Sequence, residues 1–187
     1  MTASIESINP ELLDRARRIR LVVLDVDGVL TDGVIALDDH GNEHKNFHVR
    51  DGSAIVGWTR SGGKAAILSG RRARCVDLRA RELGIETVLQ GNPQKLDGLE
   101  EILASTQIAM AQTCFVGDDL PDLPLFRSVG LAACPADSVD EIREAAHFVS
   151  RFPGGRGAVH EVVSLVMKAQ DLWQTHVRWY EERSRIG

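Results

Sequence analysis

The chain has 187 residues, 43% of them hydrophobic and 26% charged, which suits one well-buried domain and leaves little room for a second. A formal net charge of −5 argues against broad binding to nucleic acid or to anionic membranes. No apolar run exceeds strand length, which excludes a spanning helix, and the three scattered cysteines Cys75, Cys114 and Cys134 fit reduced thiols better than a disulfide frame or a zinc site.

Residues 1–20 carry charges where a secretory signal would carry its apolar core, so the expected location is the cytoplasm. Pro10 after Asn9 opens a helix over 10–19, a favoured first position behind a good N-cap. Residues 21–24, Leu-Val-Val-Leu, read as a buried strand. Directly behind it stand Asp25 and Asp27, then Gly28, which lets the backbone turn sharply. Alternate residues of an extended segment share a face, so both carboxylates are expected at the strand's carboxyl end. Two such charges are costly together unless a cation sits between them. The spacing offers a metal site with a carboxylate nucleophile, although Asp-x-Asp-Gly also occurs in calcium loops and ordinary turns.

Residues 34–37 and 44–49 flank the polar stretch 38–43 and read as a β-hairpin, an insertion over about 33–49 that is too short for a lid domain. Short apolar runs then follow at 65–68, 87–89, 114–116, 131–133 and 147–149. Helical patterns near 51–61, 71–83, 94–104, 121–128 and 138–145 alternate with them. This predicts an α/β fold, a doubly wound, Rossmann-like parallel sheet with helices on both faces, as one domain over 1–187. Gly154-Gly155-Arg156-Gly157 leads into a helical tail over about 158–187. The glycine run looks like a phosphate loop but lacks the spacing of a nucleotide fingerprint. Trp173, Val177 and Tyr180 recur about once per turn, and the cluster of Trp173, Trp179 and Tyr180 favours a docked amphipathic helix over a mobile tail.

The chemistry collects behind the strands. Asp25 and Asp27 follow the first, Ser69-Gly70-Arg71 the second, Lys95 lies just beyond the third, and Gly117-Asp118-Asp119 with Asp122 follows the fourth. Doubly wound sheets bind ligands at the carboxyl ends of their strands. Each residue has a bland role as well: Ser69 as a helix cap, Lys95 as a solvated cation, Asp118, Asp119 and Asp122 as caps for the next helix. Together they suit phosphoryl transfer. Asp25 would attack phosphorus and form an aspartyl-phosphate. Mg2+, held by Asp25, Asp118 and the backbone carbonyl of Asp27, would offset phosphoryl charge. Ser69 and Lys95 would bind other phosphoryl oxygens. Asp27 would protonate the leaving alkoxide and then take a proton from water, with Asp119 and Asp122 in support.

With Asp25-x-Asp27-Gly28, Ser69, Lys95 and Gly117-Asp118-Asp119 in this order, the sequence resembles the haloacid dehalogenase superfamily of phosphotransferases. More narrowly, it looks like the capless branch acting on 3-deoxy-D-manno-octulosonate 8-phosphate. The residues that carry this are Asp25 through Gly33, Phe47-His48-Val49-Arg50-Asp51-Gly52, Ser69-Gly70-Arg71, Arg79, Lys95-Leu96, Gly117 through Asp122, and Gly155-Arg156-Gly157-Ala158-Val159. The likeness covers roughly residues 12–172. It implies a haloacid dehalogenase-type fold without a cap domain, an acidic sugar phosphate as substrate in lipopolysaccharide biosynthesis, and Mg2+ as cofactor. It also implies a homotetramer whose hairpins meet at the centre, with a neighbouring subunit completing each site and the hairpin covering a site that would otherwise lie open to water.

By the same resemblance Asp27, His48, Val49, Arg50, Asp51, Gly52, Val56, Arg71, Arg79 and Lys95 line the substrate site, with Arg50, Arg71 and Arg79 as its anion-binding cations. Ser69 stands where threonine is commoner, and His48 where some relatives have asparagine. A phosphatase of sialic-acid-like nonulosonate 9-phosphates is the close alternative. From another class, a phospho-accepting receiver domain shares the sheet and clustered aspartates, but its phosphorylated aspartate follows a central strand rather than the first.

Overall fold

The structure is a computed structural model that describes residues 9–183. The reading of residues 1–8 and of the last four tail residues lies outside that range. The chain runs α1 (Pro10–Arg18), β1 (Leu21–Leu24), β2 (Ala36–Leu37), β3 (Glu43–His44), α2 (Val49–Arg60), β4 (Lys64–Ser69), α3 (Arg74–Glu82) and β5 (Thr87–Gln90). It continues with α4 (Lys95–Thr106), β6 (Thr113–Val116), α5 (Leu123–Phe126), β7 (Leu131–Cys134), α6 (Asp140–Ala145), β8 (Phe148–Val149), α7 (Ala158–Ala169) and α8 (Trp173–Arg183).

Six strands form one sheet in the order β5-β4-β1-β6-β7-β8, with every neighbouring pair parallel. Strand alternation sorts the core into two layers. Val22, Leu24, Ile67, Val116 and Ala133 face a cluster with Ile55 and Trp58 of α2, Val76 of α3 and Val162 and Val166 of α7. Leu21, Val23, Leu68, Phe115 and Ala132 face the other way, onto Leu99 and Ile102 of α4, Leu125 of α5 and Ile142 of α6. Each such Val, Leu, Ile or Phe side chain, fully buried, contributes about 1.5–3 kcal/mol. This is the expected doubly wound sheet. The chain leaves β1 towards β4 and β5, then returns to β6 on the other side of β1. The order reverses there, and a crevice opens at the carboxyl ends of β1 and β6. The first strand is thus also an interior one, so the contrast with receiver domains is one of chain order, not of place in the sheet.

Four local expectations are corrected. The hairpin is shorter: β2 and β3 pair over two residues each, Ala36 with His44 and Leu37 with Glu43. Val49 belongs to α2, because His48 is extended and the chain turns helical behind it. The helix expected from 71 starts at Arg74, since the backbone N–H of Arg71 is held in a turn by the Ser69 hydroxyl at 3.2 Å. The helix expected over 121–128 is broken into a 3-10 turn over Leu120–Asp122 and the single turn of α5. Pro121 and Pro124 each lack the N–H that a continuous helix needs.

The tail docks, as its aromatic spacing suggests. α8 lies on α2, with the Tyr180 hydroxyl 3.1 Å from Ser53 Oγ and the Arg60 guanidinium 3.4 Å above the Trp179 ring. Gly57 permits the approach, because a Cβ there would fall 2.3 Å from the His176 ring.

Candidate active site

Three adjacent strands deliver the acidic and hydroxyl groups. Asp25 and Asp27 follow β1, Ser69 ends β4 and Asp118 follows β6. They share a cavity of about 360 Å3 with Arg71, Lys95 and Asp119. Gly28 lets this happen. It has φ +83°, and a Cβ there would lie 2.0 Å from Asp118 Oδ2, so only glycine keeps the two loops this close.

Lys95, the first residue of α4, is buried and reaches across the sheet edge. Its Nζ donates to Asp25 Oδ2 at 2.6 Å and to Asp122 Oδ1. Burial works against its charge, but Asp25 and Asp122 outweigh that and hold the ammonium above its usual range. Asp25 Oδ1 accepts from the Val26 N–H at 2.7 Å. Asp122 is fully buried and spoken for. Its Oδ2 accepts from the Asp118 N–H at 3.0 Å and the Asp119 N–H at 3.4 Å, which braces the β6 loop. Asp119 itself caps the 3-10 turn through the Leu120 N–H at 2.8 Å.

Asp118 is the group left over. Its Oδ1 is buried without a hydrogen-bond partner. Oxygens of Asp25, Asp118 and Asp122 lie within 4.8 Å of one another. Two like charges at about 4 Å and an effective dielectric near 20 repel by about 4 kcal/mol, and one lysine offsets only part of three such charges. Burial, reinforced by Asp25 and Asp122, accordingly pushes the Asp118 carboxyl up to about 8. Burial likewise pushes Asp25 to about 6 against the pull of Lys95. An all-oxygen donor set, too negative for itself and with one orphaned oxygen, fits a hard divalent cation. Asp25 and Asp118 line the cavity and the fully buried Asp122 does not, so those two are the carboxylates placed to take it.

Asp27 points away from that cluster. Its Oδ1 pairs with Lys45, whose Nζ also donates to Glu43 Oε1 at 2.6 Å. Arg71 lies across both acids, 3.1 Å from Glu43 Oε2 and 3.7 Å from Asp27 Oδ2. Glu43 and Lys45 are not among the candidates that the sequence alone singles out. The signal was their i, i+2 spacing in the hairpin, which puts both on one face.

The structure does not bring the remaining expected substrate residues into this cavity. Val49 and Arg50 sit exposed at the start of α2. Asp51 is buried, and its carboxylate accepts from the N–H groups of His160 at 2.7 Å and Gly157 at 3.3 Å, so it caps α7. His48 Nδ1 lies 4.0 Å from Asp51 Oδ2. Val56 packs against the core. Arg79 fills the space over Gly52, 2.8 Å from Glu82 and facing the Phe47 ring.

The family of haloacid dehalogenase-like hydrolases matches residues 83–162. A 3-deoxy-D-manno-octulosonate 8-phosphate phosphatase from Yersinia pestis is 44% identical over 161 residues, 86% of each chain. The chain belongs to the haloacid dehalogenase superfamily, in the family of these phosphatases. The Escherichia coli K12 relative of the same name is 41% identical over 163 residues, 87% of each chain. The fold agrees as well. The crystal structure of the Yersinia pestis phosphatase aligns with a TM-score of 0.88 at 42% identity, covering 89% of this chain and 90% of that one. A Moraxella catarrhalis phosphatase, crystallised with a magnesium ion, a phosphate ion and a KDO molecule, aligns with a TM-score of 0.88 at 35% identity, covering 91% and 98%. This superfamily member is thus a phosphatase, with its acidic cluster at the strand-order reversal.

Proposed function

We propose that this phosphatase hydrolyses 3-deoxy-D-manno-octulosonate 8-phosphate to the free sugar acid and phosphate, in the cytoplasm, as a step of lipopolysaccharide biosynthesis. The observation that carries the reading is the buried Asp25–Lys95–Asp122 chain opening on the same cavity as Asp27, Ser69 and the unpartnered Asp118. High identity to phosphatases of that name supports the choice of substrate.

A carboxylate oxygen of Asp25 attacks phosphorus, the bond from phosphorus to the ester oxygen breaks, and Asp27 gives that oxygen its proton. Water then attacks the aspartyl-phosphate, passes its proton to Asp27 and frees both Asp25 and phosphate. Lys95 holds Asp25 in place and adds positive charge. Ser69 Oγ already accepts from the Arg71 N–H, which leaves its own hydrogen for a phosphoryl oxygen. Mg2+ would be held by Asp25, Asp118 and the carbonyl of Asp27, where it neutralises phosphoryl charge. Arg71, half exposed at the cavity rim, is the cation on this chain best placed for the sugar acid.

His48, Val49 and Arg50 are proposed to serve the substrate across a subunit boundary in a homotetramer, with Gly52 and Val56 seating α2 behind them and Arg79 over Gly52. Supporting this, Val34, Ile35, Leu37 and Val49 expose large apolar side chains on and beside the hairpin. The test is phosphate release in Mg2+ from the octulosonate 8-phosphate, a nonulosonate 9-phosphate and p-nitrophenyl phosphate. The reading expects the first to be preferred. Preference for the nonulosonate, or no release from any sugar-acid phosphate, overturns it.

A further inference from the structure

We infer that Lys45 is a positioning residue for Asp27: it holds one carboxylate oxygen of the acid/base so that the other is presented to the leaving oxygen. The inference rests on the reading of Asp27 as that acid/base, given above. Glu43 and Lys45 come from the hairpin and its exit, far in sequence from the catalytic loop. Yet the Lys45 ammonium is clamped between Glu43 Oε1 and Asp27 Oδ1. Its side chain is only 1% exposed and it does not line the cavity, whereas Arg71 is 49% exposed and does. Among the described residues Lys45 thus meets Asp27 and Glu43 and not the cavity, so its link to the chemistry runs through Asp27.

The second oxygen of Asp27 is left available. Arg71 Nε is 3.7 Å from Asp27 Oδ2, beyond hydrogen-bond reach, while Arg71 Nη2 is tied to Glu43 at 3.1 Å. Glu43 thus anchors both cations, and the hairpin fixes the acid/base within its own chain. Orientation of this kind matters only where a proton must be delivered. A sugar alkoxide leaves poorly without one; p-nitrophenolate leaves without help. General acid catalysis is worth about 10²–10⁴-fold where it is needed.

The experiment measures kcat in Mg2+ for wild type, Lys45→Met and Lys45→Arg on 3-deoxy-D-manno-octulosonate 8-phosphate and on p-nitrophenyl phosphate. Asp27→Asn marks the pattern expected of lost proton delivery. Lys45→Met is expected to lose at least about tenfold more on the sugar phosphate than on the aryl phosphate. Lys45→Arg is expected to recover part of that difference. If Lys45→Met does not fold, Glu43→Gln carries the same test with a smaller loss of the same selectivity. Equal losses on both substrates, or none, overturn the inference while leaving the proposed function standing. Wild-type protein that releases phosphate from neither substrate overturns the proposed function, and this inference with it.

Discussion

Lys95 holds the electrostatic balance of the site, because it is the one ammonium buried between Asp25 and Asp122. Removing one partner of such a buried group strands the others at a cost of about 3–5 kcal/mol. Asp25, already raised to about 6, can escape part of that by taking up a proton. Lys95→Met is therefore expected to lower unfolding stability by about 2–3 kcal/mol in urea melts without metal, and to abolish phosphate release. The same cluster sets a pH dependence. Asp25 and Asp118 have folded-state values raised to about 6 and about 8, well above 3.8, so between those values the metal-free fold binds more protons than the unfolded chain. Stability from these groups is present at low pH and is lost as pH rises through that window. The proposed Mg2+ would compete with the same protons. Its gain in Tm should accordingly be larger at pH 8.5 than at pH 5.5, and Asp118→Asn should flatten the difference; a pH-independent gain would contradict this. Asp25, Asp27, Ser69, Lys95 and Asp118 were legible from the sequence because each stands directly behind a strand or at the next helix start. Lys45 and Glu43 were not, because their meeting with Asp27 depends on how the hairpin folds back.

At the scale of elements, Asp51 has the role the sequence hid. The family resemblance places Asp51 at the substrate, and only the packing of α7 against α2 turns this first-turn aspartate inward onto the Gly157 and His160 N–H groups. Asp51→Ala leaves those donors unpaired in a buried place and should cost about 2–3 kcal/mol in urea melts. A loss under about 0.5 kcal/mol would show that the carboxylate caps nothing of consequence. The strand periods were easy to read, since interior parallel strands such as β1 and β7 are apolar throughout. The hairpin was harder, because its alternation ran on into residues that serve as a connection and as the start of α2. The prolines at 121 and 124 were visible in the sequence, and their removal of two helical donors explains why one expected helix is a 3-10 turn followed by a short α5.

The whole molecule joins a buried sheet core to a hairpin whose apolar side chains the described residues leave uncovered. Val34 is 63%, Leu37 64% and Val49 79% exposed, close together in sequence and around one insertion. Native mass measurement is expected to find a tetramer, and Leu37→Glu to shift it to smaller species with reduced sugar-phosphate turnover; a monomer with full activity would contradict that assembly. Among the described residues no helix is long and apolar enough to cross a membrane. The central claim, however, sits at the strand-order reversal, where Asp25 is the proposed nucleophile. Its most direct test is phosphate release from 3-deoxy-D-manno-octulosonate 8-phosphate by wild type and Asp25→Asn, each with Mg2+ and with chelator. The account predicts release by wild type in Mg2+ alone and none by the variant; release by Asp25→Asn at a wild-type rate, or wild-type turnover unaffected by chelator, would contradict it.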